Sequence, residues 1–315
     1  MSAAPEIHIE PGAPEPDWLA VDWGTSHVRA WFLRGRRVVG WATSADGMGT
    51  LEPDGFEPAL LRLLPMPDAR LSVMICGMAG SRQGWIEAPY AATPCVPPTA
   101  ERAVRAPTRT DRLDVRILPG IKQVDPADVM RGEETQIAGF LALNPGYDGI
   151  VCLPGTHSKW VHVSAGEVVS FRTFMTGELF SLLSTQSVLR HSMAVDGLDE
   201  DVFLSAMSRG LSRPASLGSD LFALRAEALL NDLPPVVARS RLSGLLVGME
   251  LAAAKPYWLG QQVAVLGAKG LANAYRISLE DQGLPVMIAD AERMTLEGLK
   301  AAYFAEQDAD ARTGS

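Results

Sequence analysis

Two short turns carry the chemistry open to this sequence. The first, Asp22-Trp23-Gly24-Thr25-Ser26, sets a carboxylate at the end of an apolar run and follows it with a glycine and two hydroxyls. A hairpin tip of this composition presents successive backbone N–H groups and hydroxyls to phosphate oxygens, an anion-binding nest without a basic side chain. The carboxylate beside it suits Mg2+, which takes hard oxygen ligands and keeps several waters. Gly-Thr-Ser turns are also common in plain hairpins. The second turn, Pro154-Gly155-Thr156-His157-Ser158-Lys159, repeats the Gly-Thr-x-Ser chemistry after a second apolar run. Facing each other, two such tips would hold a polyphosphate from both sides. His157 suits orienting a phosphate or capping its own turn, and Lys159 suits pairing with phosphate charge or standing in solvent.

The elements around the turns repeat as well. Residues 18–22, 28–33 and 37–43 read as three strands with short connections, an antiparallel meander. Residues 149–153, 159–163 and 167–173 read the same way, a recurrence about 130 residues later that fits two related domains rather than a solenoid. Between them the pattern gives a helix over 56–64, strands over 71–76 and 114–118, and a helix over 128–143 with Met130, Ile137, Phe140 and Leu141 on one side. After the second meander come helices over 178–187, 221–230 and 242–254, a strand over 263–266, a helix over 268–280, a strand over 285–288 and a helix over 296–304. The chain is thus α/β throughout.

Composition narrows the function. The 28 basic against 37 acidic residues give a net charge of −9, a poor match for nucleic acid or anionic lipid. The longest basic cluster, Arg34-Gly35-Arg36-Arg37, reads as a hairpin tip. Cys76, Cys95 and Cys152 are widely spaced with no CxxC pair, so neither a disulfide framework nor a zinc site is indicated. Residues 1–17 hold four prolines and no apolar stretch, which reads as a disordered tail, neither signal peptide nor anchor, and the chain as cytoplasmic.

Five segments in order resemble one family: Val21 to Ser26, Gly80-Ser81-Arg82-Gln83-Gly84-Trp85-Ile86-Glu87-Ala88-Pro89-Tyr90, Asp128 to Gln136, Leu153 to Trp160, and Thr173-Phe174-Met175-Thr176-Gly177-Glu178-Leu179-Phe180. Together they are similar to the 2-dehydro-3-deoxygalactonokinases, within the superfamily of acetate and sugar kinases, heat-shock chaperones and actin. The resemblance implies a duplicated ribonuclease-H-like (actin-like ATPase) two-lobe fold with a central ATP cleft. It implies transfer of the ATP γ-phosphate, with Mg2+, to the 6-hydroxyl of 2-dehydro-3-deoxy-D-galactonate, a step of galactonate breakdown. Residues 18–135 would form the N-terminal lobe and 136–315 the C-terminal lobe, whose last helix can pack back on the first. A homodimer is open. Many superfamily members carry Asp at the start of the second phosphate hairpin, where this chain has Leu153-Pro154. The resemblance therefore points for the catalytic carboxylate to Gly132-Glu133-Glu134-Thr135-Gln136: alignment on Gln136 selects Glu134, alignment on Gly132 selects Glu133. Two carboxylates in a first helical turn also simply complement the helix dipole.

The sugar acid's carboxylate needs a cation. Arg82 is the first candidate, since a guanidinium grips a carboxylate with two hydrogen bonds; pairing with Glu87 on the surface is the other reading. Gln83, Trp85 and Glu87 would line the same pocket, and Arg131 is a second candidate for carboxylate or phosphate. For adenosine, Gly244 and Gly248 in one helix, and Gly267 and Lys269 at a strand-to-helix junction, allow close approach of the nucleotide. The rival readings are a nucleotide-switch ATPase or a phosphatase on the same fold, and a kinase of the related gluconate-series acid.

Overall fold

The computed structural model describes residues 4–64 and 70–313. Two compact units emerge: Met1–Tyr147 with Ala165–Val169 and Ala291–Ser315, and Asp148–Ser164 with Ser170–Asp290.

In the first unit, strands β1 (Glu6–Ile9), β2 (Trp18–Trp23), β3 (Val28–Arg34) and β4 (Arg37–Ser44) precede helix α1 (Phe56–Leu63) and strand β5 (Leu71–Gly77). The short strands β6 (Ala91–Ala92) and β7 (Val104–Arg105) follow, then β8 (Leu113–Ile117), β9 (Ile121–Gln123), β10 (Asp128–Met130) and helix α2 (Glu133–Leu143). The main sheet runs β1-β4-β3-β2-β5-β8-β7. The meander β2-β3-β4 is antiparallel, whereas β5 lies parallel to β2 and β8 parallel to β5. Strand β2 is central and its two faces bury different side chains. Leu19, Val21 and Trp23 join the core under α1, while Trp18 and Ala20 face a second core that includes Leu299 and Ala302. Covering on both faces explains why 18–22 reads as a continuous apolar run rather than an alternating one.

In the second unit, β11 (Gly149–Leu153), β12 (Ser158–Ser164) and β13 (Glu167–Phe174) lead into helices α3 (Thr176–Thr185), α4 (Glu200–Ser212), α5 (Leu217–Leu230), α6 (Pro235–Ala253) and α7 (Lys255–Trp258). Strand β14 (Val263–Gly267), helix α8 (Lys269–Asp281) and strand β15 (Val286–Asp290) complete it, and α9 (Ala291–Thr313) belongs to the first unit. The sheet order is β13-β12-β11-β14-β15, with β11 antiparallel to β12 and parallel to β14, and β14 parallel to β15. Each unit therefore carries the same five-strand order, the third, second, first, fourth and fifth strands side by side. This is the duplicated ribonuclease-H-like topology implied by the resemblance.

Four expectations need correction. Residues 1–17 are not all tail, because β1 pairs antiparallel with β4, from Glu6 opposite Thr43 to Ile9 opposite Gly40. Its side chains are exposed, so no core pattern marks it; what holds it is an edge that needs pairing. The helix over 128–143 starts only at Glu133, since Gly132 has φ +109° and Asp128–Met130 pairs with β9 instead. The first unit extends through Tyr147 rather than stopping at 135, because α2 packs on α9 through backbone contact. A Cβ on Gly139 would overlap the carbonyl of Met294, and one on Gly298 the carbonyl of Thr135. Lastly, α4 has no counterpart among the expected helices; its buried face is Phe203, Ala206, Met207 and Gly210. All three cysteines are buried and free, and among the described residues no helix is long and apolar enough to cross a membrane.

Candidate active site

Asp22 lies one residue from the end of β2, in register with Arg29 on β3 and with Cys76 on β5. The turn after it is held from behind: Gly24 N donates to His27 O (2.9 Å), Met48 N to Gly24 O (3.0 Å) and Gly49 N to Thr25 O (2.8 Å). These bonds occupy carbonyls and leave the Thr25 and Ser26 side chains exposed. Gly77, with φ +87°, lets β5 end against Trp23 and Asp22; a Cβ there would meet Asp22 Oδ1 at 3.4 Å. One on Gly132 would meet Gly77 Cα at 3.6 Å, so the turn before α2 comes to the ends of β2 and β5. Residues far apart in sequence thus gather in one place in the first unit: Asp22, Arg131, Glu133 and Glu134.

The carboxylates there are electrostatically crowded. Burial pushes Asp22 up from 3.8 to about 6, with Glu133 and Glu292 adding to the rise and the Arg29 guanidinium opposing it. Glu134, 1% exposed, is pushed up from 4.5 to about 8, first by burial and then by Glu133. Its Oε2 accepts from Gly132 N at 2.7 Å and its Oε1 from the Thr135 hydroxyl at 3.2 Å. Glu133 Oε2 accepts from Arg131 N at 3.0 Å. No group of three or more His, Cys, Asp or Glu among the described residues could enclose a metal ion. Mg2+ needs no such cage, because one or two carboxylates with phosphate oxygens and water complete its shell. Asp22, a carboxylate oxygen donor beside the turn, fits that pattern.

The substrate candidates separate clearly. The Arg82 side chain is 81% exposed and stands 3.8 Å from Glu87, beyond a hydrogen bond, and Gln83 and Glu87 are exposed too. Trp85 is a core residue rather than a sugar platform: it packs on Trp23 and Phe56 and its indole N–H donates to Pro107 O at 3.1 Å. Arg131 is the buried guanidinium. It lies 4.3 Å over the Tyr90 ring and donates from Nη2 to Ala88 O at 2.9 Å, while Nε and Nη1 are buried with no partner. Two buried donors without acceptors are costly, and a carboxylate or phosphate would relieve that cost.

In the second unit the turn Gly155-Thr156-His157 is open to solvent. The start of α3 abuts it: Glu178 N donates to Thr156 O at 2.9 Å and Glu178 Oε2 lies 2.6 Å from His157 Nε2. A Cβ on Gly177 would overlap the Gly155 carbonyl. Ser158 and Lys159 are buried, and the Ser158 hydroxyl lies 2.8 Å from that of Tyr275, so the side chain turns inward instead of toward the tip. Beside the turn lies a cavity of about 590 Å3 whose lining includes Gly155, Thr176, Ser243, Gly270, Asn273 and Tyr275. Arg239 stacks 4.8 Å over Phe180 at its wall.

The adenosine candidates fall in two different places. Gly244 and Gly248 face α4, where a Cβ on either would overlap the carbonyls of Phe203 or Met207. They are packing glycines, and their neighbours Ser243 and Val247 line the cavity instead. Gly267 and Lys269 flank the strand-to-helix junction, with Gly270 next to them in the lining. A larger hollow of about 970 Å3 between α4, α5 and α6 holds Arg209 paired with Asp220 and Arg241 paired with Glu227, charges already satisfied. Thr176 and Gly177, inside the segment 173–180 that carries part of the resemblance, bring the start of α3 against the hairpin, a contact that no local pattern announces.

A model of the 2-keto-3-deoxy-galactonokinase family matches residues 22–302. A Rhizobium meliloti (strain 1021) protein named "Probable 2-dehydro-3-deoxygalactonokinase DgoK1" is 42% identical over 90% of this chain and 96% of its own. The 2-dehydro-3-deoxygalactonokinase of Escherichia coli (strain K12) is 32% identical over the same shares. A crystal structure from Sinorhizobium meliloti, bearing the same enzyme's name, superposes with a TM-score of 0.84 at 41% identity, covering 91% of this chain and 96% of its own. At the level of fold alone, the activator of 2-hydroxyisocaproyl-CoA dehydratase from Clostridium difficile, solved with ADPNP, gives a TM-score of 0.50 at 12% identity over 94% and 97%. With the family model spanning both units and both relatives covering nearly the whole chain, this protein belongs to the 2-keto-3-deoxy-galactonokinase family.

Proposed function

We propose that the protein transfers the terminal phosphoryl group of ATP to the 6-hydroxyl of 2-dehydro-3-deoxy-D-galactonate, releasing ADP. The observation that carries this is family membership across residues 22–302, both hairpins included. The same membership disfavours the rival readings, a nucleotide switch or a phosphatase.

The residues divide the work. In the second unit the Gly155–His157 tip takes phosphate oxygens on its backbone, and the cavity beside it takes the nucleoside. In the first unit the Gly24–Ser26 tip offers N–H groups and hydroxyls to phosphate, and Asp22 holds Mg2+. When bound, the ion neutralises charge on the transferring group. Arg131 grips the sugar acid's carboxylate, with Arg82 a peripheral contributor. Glu134 accepts the proton of the attacking hydroxyl. Its position near 8 is that of a base matched to neutral pH, and burial is the usual means of achieving this. Positioning and charge stabilisation contribute more to phosphoryl transfer than proton removal does.

The direct test is coupled ADP release with a panel of keto-deoxy sugar acids from the galactonate and gluconate series. Turnover that depends on the galactonate-derived acid supports the reading. ADP release at equal rates without any acid would overturn it.

A further inference from the structure

Beneath the second hairpin lies a carboxylate that the reaction does not call on. Glu250, in the last turn of α6, is fully buried. One oxygen accepts from the Trp160 indole N–H at 2.8 Å and the other from the Tyr275 hydroxyl at 2.8 Å. The Tyr275 oxygen lies 2.8 Å from Ser158 Oγ in turn. All three partners are at most 1% exposed. The network therefore joins α6, α8 and the first residues of β12, the strand that leaves the hairpin tip. Ser158 and Trp160 are two residues apart and so point to the same face of that strand. One carboxylate fixes both.

Cohesion does not explain such a group. Taking a carboxylate out of water is costly, and well-packed apolar replacements of buried ionic groups are often neutral or stabilising. Burial pushes the Glu250 carboxyl above the ordinary range, against the hydrogen bonds it receives, which shows the cost is borne here too. What a bidentate acceptor supplies, and a leucine does not, is direction: it sets the indole and the phenol at fixed bearings. Both bearings matter at the cavity. Tyr275 lines it together with Gly155 of the hairpin and Thr176, whose hydroxyl also acts on the Glu250 carboxylate. The tip itself is held from the other side by α3, through Glu178 and Gly177.

We propose that Glu250 is a positioning residue for nucleotide binding, which holds the hairpin Gly155–His157 and the Tyr275 wall at a fixed spacing through Ser158 and Trp160 without touching the nucleotide. The inference rests on the kinase reading, in which this cavity takes the nucleoside of ATP.

The test compares wild type with Tyr275→Phe, which keeps the ring and removes only the linking hydroxyl, and with Glu250→Gln and Glu250→Leu. ADP binding is measured by titration calorimetry, alongside KM for ATP, KM for the sugar acid and thermal stability. Tyr275→Phe and Glu250→Leu are expected to weaken ADP binding and raise KM for ATP about tenfold, the size of one hydrogen bond to a charged group. KM for the sugar acid stays within twofold, and Glu250→Gln, which retains an acceptor for Trp160, recovers part of the loss. A merely structural role would lower stability and active fraction without separating the two KM values. Should Glu250→Leu fail to fold, Tyr275→Phe still decides. If wild type binds ADP and Tyr275→Phe binds it equally well, this proposal is wrong and the kinase reading stands. If wild type binds no ADP, both fall.

Discussion

Asp22 and Arg29 stand opposite each other on β2 and β3, and the guanidinium of Arg29 reaches Glu292 of α9 at 3.1 Å. Arg29 thus divides its charge between two carboxylates, and Asp22 keeps a position near 6 because burial outweighs the share it receives. A carboxylate in this condition gains from any further cation that arrives beside it, which is what a metal-holding residue requires.

Asp22→Asn is therefore expected to lower kcat by about 10²–10³-fold, the loss typical when a preorganised electrostatic group is removed. Folding survives, since the substitution removes a buried charge. Steady-state kinetics over a Mg2+ titration check this. Near wild-type turnover at saturating Mg2+ would take Asp22 out of the metal site.

Glu134 makes pH predictions of two kinds. Its folded position of about 8 lies above the ordinary 4.5, so the native state holds a proton that the unfolded chain has released. Stability is then complete below about 4.5, falls as pH rises toward about 8, and levels off above. Glu134→Gln removes this dependence, and its melting temperature should exceed that of wild type at pH 8 while matching it near pH 4.5. In kinetics, kcat/KM of wild type should climb with pH toward about 8 as the base ionises. Glu134→Gln should lose about 10²–10⁴-fold, the range of general base catalysis. Glu133→Gln should retain activity and move the limb to lower pH, because Glu133 helps hold Glu134 up. The opposite ranking would make Glu133 the base.

Arg131 and Arg82 can be told apart by substrate. Arg131→Lys keeps the charge but loses the planar fork, so KM for the sugar acid should rise about tenfold with KM for ATP little changed. Arg82→Lys, at an exposed site 3.8 Å from its partner, should shift that KM less than threefold, in line with the small worth of surface pairs. A larger effect at Arg82 would restore it as the carboxylate's main contact.

The seam between α2 and α9 offers a test of packing alone. Gly298→Ala and Gly139→Ala each put a methyl group into a facing backbone carbonyl, and either should cost about 1–3 kcal/mol by overpacking. Urea denaturation measures it. Because α2 opens with Glu133 and Glu134, kcat should fall as well, and a loss of stability with full activity would show that the helix start does not depend on the seam.

Much of this was legible from the chain. Both meanders and the turns that cap their first strands follow from local pattern, because apolar periodicity, glycine placement and turn chemistry act over a few residues, while the kinase family came from the resemblance of five ordered segments. What the tertiary structure decided is which of those residues face one another. Trp85 and the glycines at 244 and 248 have the composition of a binding site, yet packing turns them into core and helix–helix contact. Arg131 rather than Arg82 is the buried cation because Gly77 and Gly132 let the ends of three distant segments converge. The carboxylate of Glu250, inside an unremarkable helix, meets Trp160 90 residues away and Tyr275 25 residues on. Burial and contact between distant segments set those roles, and neither quantity exists until the chain has folded.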